Sequence, residues 1–224
     1  MKNILICFFL LMPVFGIKAN DYDDIYDLAN QGNHVAQYTL GQMYMDGNGV
    51  VQDYGKAKFW YEKAAVQGDV EAQFNLGLIY LLSPDGHPEY EQAKFWFEQA
   101  VAQNDAPSQY YLGYIYEHGK GVQQDMKKAR RLYEISATNG FVSAQLAFGL
   151  MLSRGEGGYK DLSEATWWFI KVAEQGDSDV QYLLGLMYAD GEGVPKNIME
   201  AKKWFAEACA YGNQKACASY REFR

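Results

Sequence analysis

A period of 36 residues runs through the chain without a slip, and it constrains the fold more than any other feature. Glycines recur at Gly41, Gly77, Gly113, Gly149 and Gly185, and alanines at Ala57, Ala93, Ala129, Ala165 and Ala201. A second glycine series falls at Gly32, Gly68, Gly140, Gly176 and Gly212, with Asn104 in the remaining slot. A fixed period of roughly 20–50 residues is the mark of a solenoid, in which each supersecondary unit buries its apolar face against its neighbours.

Within the first unit, residues 33–68, Ala36, Leu40, Met43 and Tyr44 share one face at helical spacing. Asp46-Gly47-Asn48-Gly49-Val50 breaks that helix, and Asp53 stands where the N-cap of a second belongs. Ala57, Trp60, Tyr61 and Ala64 give the second helix its apolar face, and Gly68 is placed to end it in the left-handed conformation. Units 69–104, 105–140, 141–176 and 177–212 read the same way. The pair Trp60-Tyr61 recurs as Trp96-Phe97, Leu132-Tyr133, Trp168-Phe169 and Trp204-Phe205. Capping-box pairs stand at Asp161 with Glu164 and at Asn197 with Glu200. The expected fold is all-α: an α/α solenoid of five 36-residue helical hairpins filling residues 33–212, with terminal half-repeats. Residues 20–32 supply an N-terminal capping helix and residues 213–224 a C-terminal one, as a soluble solenoid requires. Two departures are expected. The second unit's turn, running through Ser83-Pro84-Asp85-Gly86-His87-Pro88, should differ in shape, and Pro107 falls in the first turn of a helix, where proline is tolerated.

Residues 1–19 read as a secretory signal peptide. Lys2 supplies a positive start, residues 4–17 are almost wholly apolar, and Ile17-Lys18-Ala19 offers a small residue for cleavage. The alternative, an uncleaved membrane anchor, is disfavoured by the shortness of the stretch and by the acidic Asp21-Tyr22-Asp23-Asp24 that follows. The expectation is therefore export, to the periplasm or out of the cell, with no membrane span after cleavage. Cleavage removes Lys2 and Lys18 and no acid, so 18 of the 20 basic side chains remain against 28 acids, a net charge of −10. Such a balance argues against a nucleic-acid or anionic-lipid surface, which needs clustered Lys and Arg. Cys7 leaves with the leader; the remaining even count, Cys209 and Cys217, is compatible with a disulfide in an exported chain.

The run from Ala36 to Tyr44 (AQYTLGQMY), then Gly47-Asn48-Gly49-Val50-Val51-Gln52-Asp53, Lys56-Ala57, Trp60-Tyr61, Lys63-Ala64-Ala65 and Gly68, resembles the Sel1-like repeat. The resemblance covers nearly all of the mature chain in five copies. It implies an adaptor-type scaffold akin to tetratricopeptide arrays, with exported bacterial members associated with host interaction or envelope assembly. It carries over no shared catalytic residues. The segment from Cys209 to Cys217 (CAYGNQKAC) is similar in spacing to the secreted cysteine-rich members, which implies a Cys209–Cys217 bridge between successive repeats; two small buried thiols are the alternative. A ring of that size stabilises by about 2–3 kcal/mol on the chain-entropy model.

Nothing in the sequence competes with that reading by offering chemistry. His34, His87 and His118 occupy different repeat positions, and none has a second histidine at metal-ligand spacing. Gly119-Lys120-Gly121 lacks the third glycine and the preceding strand of a phosphate loop. The acids Asp21, Asp23, Asp24 and Asp27 lack the loop glycine and closing glutamate of an EF-hand, and they suit the start of a helix. No serine has lysine three residues on, as the serine β-lactamase mechanism requires. No catalytic, cofactor or metal site is therefore expected.

The first helices leave a second face, away from the second helix. In helical-hairpin solenoids this face lines the concave side. Its candidate binding residues are Leu78, Tyr110, Tyr111, Tyr114, Glu117, Leu150 and Leu186, apolar and tyrosine-rich as partner-binding strips are. The position of Tyr110 is aromatic in four of five units, which also suits packing between adjacent first helices; the position of Tyr114 varies more, which suits a partner. The expected function is an exported scaffold that receives a protein or peptide in this groove. Two alternatives stand beside it: a protein that binds or hydrolyses β-lactams or cell-wall fragments, and a structural envelope spacer.

Overall fold

A computed structural model describes residues 19–83 and 86–222, and these hold twelve α-helices and no strand. The leader read over residues 1–19 lies, but for Ala19, outside the described residues, as do Pro84, Asp85, Phe223 and Arg224. The helices fall into two units, residues 1–72 and residues 73–224.

In the first unit, α1 (Ala19–Asn30) precedes the hairpin of α2 (His34–Asp46) and α3 (Tyr54–Ala65). The caps follow from the residues. Asn33 Oδ1 accepts from the Ala36 amide and Asp53 Oδ1 from the Lys56 amide, each at 2.9 Å, so both helices begin with an orphan donor satisfied. Leu40, Trp60, Tyr61 and Ala64 are buried between them, and Tyr26 of α1 meets Trp60 edge-on at 5.9 Å.

The second unit continues through α4 (Val70–Leu82, begun in the first), α5 (Tyr90–Val101), α6 (Ala106–His118), α7 (Met126–Thr138), α8 (Val142–Arg154), α9 (Leu162–Ala173), α10 (Ser178–Asp190), α11 (Ile198–Ala210) and α12 (Gln214–Glu222). Ser83 closes α4 at φ +43°, where the corresponding turns use glycine; the second repeat's turn has its own geometry.

The two glycine series have different physical causes. The helical glycines lie where paired helices touch. A Cβ placed on Gly113 would stand 2.8 Å from Tyr133 Cε1, and one on Gly149 would stand 2.7 Å from Phe169 Cε1. Only a residue without a side chain lets the ring of the second helix lie on the backbone of the first. The other series is conformational. Gly68 has φ +93° and Gly140 φ +90°, and Asn104, which replaces glycine in that slot, still adopts φ +64°. Asparagine is among the few residues that enter this region at modest cost.

The bridge between Cys209 and Cys217 is formed. It joins the last turn of α11 to α12 beside a core of Ala201, Phe205, Ala208 and Ala216, against which Tyr182 and Tyr220 pack.

Candidate functional site

The seven residues of the proposed face lie in the second unit, and the structure divides them into two groups. Tyr110 and Tyr111 belong to an aromatic cluster that ties neighbouring repeats together. Tyr111 stacks on Phe97 at 5.6 Å and meets Phe74 at 5.8 Å, while Tyr110 meets Tyr133 at 5.4 Å and Phe141 at 5.3 Å. Glu117 accepts a 2.6 Å hydrogen bond from the Tyr133 hydroxyl. Burial, with the Glu117 hydrogen bond and charge added, pushes the Tyr133 phenol far up; burial, with Tyr111 and Glu117 nearby, pushes Tyr110 up to about 12. Both phenols remain protonated across the physiological range.

Leu78, Tyr114, Leu150 and Leu186 form the other group, one on each first helix of the second to fifth repeats. The first three are half-buried and Leu186 is 36% exposed. Tyr114 lies over the His118 ring, with centroids 4.2 Å apart. His118 Nδ1 lies 3.0 Å from the Tyr114 carbonyl oxygen, and His34 Nδ1 lies 2.9 Å from Asp69 Oδ2. Among the described residues no three His, Cys, Asp or Glu side chains gather as a metal ion would need, and no helix is long and apolar enough to cross a membrane.

A buried carboxamide ladder went unread in the sequence. Gln37, Gln73, Gln109, Gln145 and Gln181 recur at the period and are all buried. Gln37 Nε2 donates to the Ala29 carbonyl at 2.9 Å, and Gln181 Nε2 donates likewise to Ala173, eight residues back in each case. Each Oε1 of the first four accepts from a carboxamide thirty residues ahead: Gln67 at 2.7 Å, Gln103 at 2.9 Å, Asn139 at 3.2 Å and Gln175 at 3.1 Å. The fifth ladder position holds Tyr211, and Gln181 Oε1 is buried without a partner. The signal was present in the sequence as five glutamines and four matching carboxamides. It was masked because a polar residue at an inward position reads as an interruption of the apolar face.

Five Sel1 repeats match along residues 34–69, 70–105, 106–141, 142–177 and 178–213, the same 36-residue period cut one residue later. The chain belongs to the Sel1-repeat family, whose members are generally protein-interaction scaffolds. Among solved structures it is similar to a protective antigen present in uropathogenic Escherichia coli strains displaying an SLR fold: 34% identity and a TM-score of 0.85 over 89% of this chain, which spans 43% of that one. A Sel1 repeat protein from Oxalobacter formigenes shares 33% identity at a TM-score of 0.75, covering 90% of this chain and 82% of that one. A third, from Klebsiella pneumoniae subsp. pneumoniae, shares 25% identity at a TM-score of 0.55, covering 90% and 98%. No curated protein sequence matches the chain.

Proposed function

We propose that this is an exported, non-catalytic scaffold that holds a protein or peptide segment against its first helices. The observation that carries the reading is the repeated placement of Leu78, Tyr114, Leu150 and Leu186, apolar side chains left partly open on successive first helices. Tyr110, Tyr111 and Glu117 are engaged in ring packing and in the Tyr133 hydrogen bond, and they fix the neighbouring helices that carry the row. A partner's helix or extended segment would set its apolar anchors between these side chains, with tyrosine supplying both area and a hydroxyl. Export, to the periplasm or beyond the cell, is supported by the leader-like residues 1–19 and by the formed disulfide.

Affinity capture from envelope extract and culture medium tests the reading, with the mature chain compared to Tyr114→Glu and Leu150→Glu. The expected result is one protein retained by the native chain and lost from both variants, while their helical melts are unchanged. Equal capture by all three overturns the assignment of this face.

A further inference from the structure

On the opposite helix the third repeat departs from the period. Its second helix, α7, carries Leu132 where the other four repeats carry Trp60, Trp96, Trp168 and Trp204. Beside it opens a hollow of about 460 Å³ lined by Lys127, Lys128, Arg131, Leu132 and Ile135. The floor is apolar: Leu132 is buried and Ile135 is 39% exposed. The rim is cationic. Four of the chain's 20 basic side chains, Lys127, Lys128, Arg130 and Arg131, lie on this one helix, Glu134 is its only acid, and the whole chain has a net charge of −8.

Two of these cations are already committed to the fold. Lys128 Nζ donates to the Tyr116 hydroxyl at 2.7 Å, and an Arg130 guanidinium N–H donates to the Tyr159 carbonyl at 2.9 Å. Lys127 and Arg131 are exposed and have no ion-pair partner among the described residues. At the residue before the tryptophan, Arg131 also stands where the first, second and fourth repeats carry Phe59, Phe95 and Trp167. The repeat has thus exchanged aromatic cover for positive charge at one spot.

We propose that this hollow is a docking site for an acidic peptide segment carrying one aromatic side chain. The aromatic ring would take the place that an indole takes in the other repeats, gaining burial on Leu132 and Ile135 and cation–π contact with Lys127 or Arg131. The flanking carboxylates would answer the unpaired cations, which gives salt-sensitive recognition. The site lies on the second helix and does not rest on the first-helix face proposed above.

The test uses the full mature chain and three short synthetic peptides: one tryptophan among aspartates and glutamates, the same with alanine for tryptophan, and the same with lysines for the acids. Binding is read by fluorescence anisotropy. The first peptide is expected to bind, more weakly as salt is raised. The alanine peptide should lose about tenfold or more, as a buried aromatic anchor does, and the lysine peptide should not bind. Lys127→Glu and Arg131→Glu should each weaken the first peptide severalfold, whereas Lys215→Glu, an equal change of charge on α12, should not. Leu132→Trp should close the site while the melt stays cooperative. Binding that survives Leu132→Trp, equal weakening by Lys215→Glu, or no binding of the first peptide overturns the proposal. So does self-association that Lys127→Glu abolishes, since the occupant would then be a second copy of the chain.

Discussion

The third and fifth repeats share a scaffold and depart from it in opposite ways. Both keep the helical glycine (Gly113, Gly185) beneath a ring (Tyr133, Phe205), the buried alanine (Ala129, Ala201) and the inward glutamine (Gln109, Gln181). The third repeat then adds polarity inside. Ser108 and Ser136 are fully buried where other repeats place alanine or valine, Tyr133 brings a phenol that needs Glu117, and Ser108 Oγ has no hydrogen-bond partner. The fifth keeps an apolar lining and its tryptophan, loses the ladder partner of Gln181, and is clamped by the disulfide to α12. Solenoid stability sums intrinsic terms and neighbour interfaces. A middle repeat has an interface on each side and tolerates poorer packing, so it is free to carry recognition. An end repeat has only a half-repeat on its outer side, here α12, and covalent closure compensates.

Opening the clamp should separate the two repeats most strongly. Reducing Cys209–Cys217 should lower stability by about 2–3 kcal/mol on the chain-entropy model, read from denaturant melts with and without reductant. Fast amide exchange should appear first in α12; uniform loosening that reaches α6 and α7 equally would contradict it. Next in size is alkaline sensitivity. Tyr110 holds its proton to about pH 12 in the folded chain, against an ordinary value near 10, and Tyr133 holds its proton more tightly still. The unfolded chain loses these protons first, so this contribution is whole below about pH 10 and declines as pH rises through the folded values. Phe205 brings no such phenol to the fifth repeat, so exchange protection should fail in α6 and α7 before α10 and α11. The smallest effects are two gains. Tyr211→Gln would supply the missing donor to Gln181 and should add about 1 kcal/mol in a chemical melt. Ser108→Ala removes an unpaired buried hydroxyl and should add about 1–2 kcal/mol by the same measurement.

Most of the architecture was legible because it is written at fixed spacing. Asp53, Asp161 and Asn197 announce helix starts by their capping chemistry, and each accepts the expected amide. Asn104 was legible as a glycine substitute because few other side chains tolerate its backbone. The face residues were legible only as a group. Helical geometry places Tyr110 and Tyr114 on one side, but which is held by Phe141 and Tyr133 and which is left open depends on contacts across repeats. The carboxamide ladder escaped because its meaning lies in pairs thirty residues apart. Leu132 escaped for a related reason: leucine is ordinary in a helix, and its consequence is visible only once the hollow beside it is seen next to exposed cations.

If the middle repeat gives up packing for recognition, restoring its packing should raise stability and remove binding together. The direct measurement is the double variant Ser108→Ala/Leu132→Trp, taken through thermal melting and titration with the acidic tryptophan peptide. The expected result is a melting temperature raised by about 2–4 °C or more together with loss of peptide binding. A lower melting temperature with peptide binding intact would contradict it.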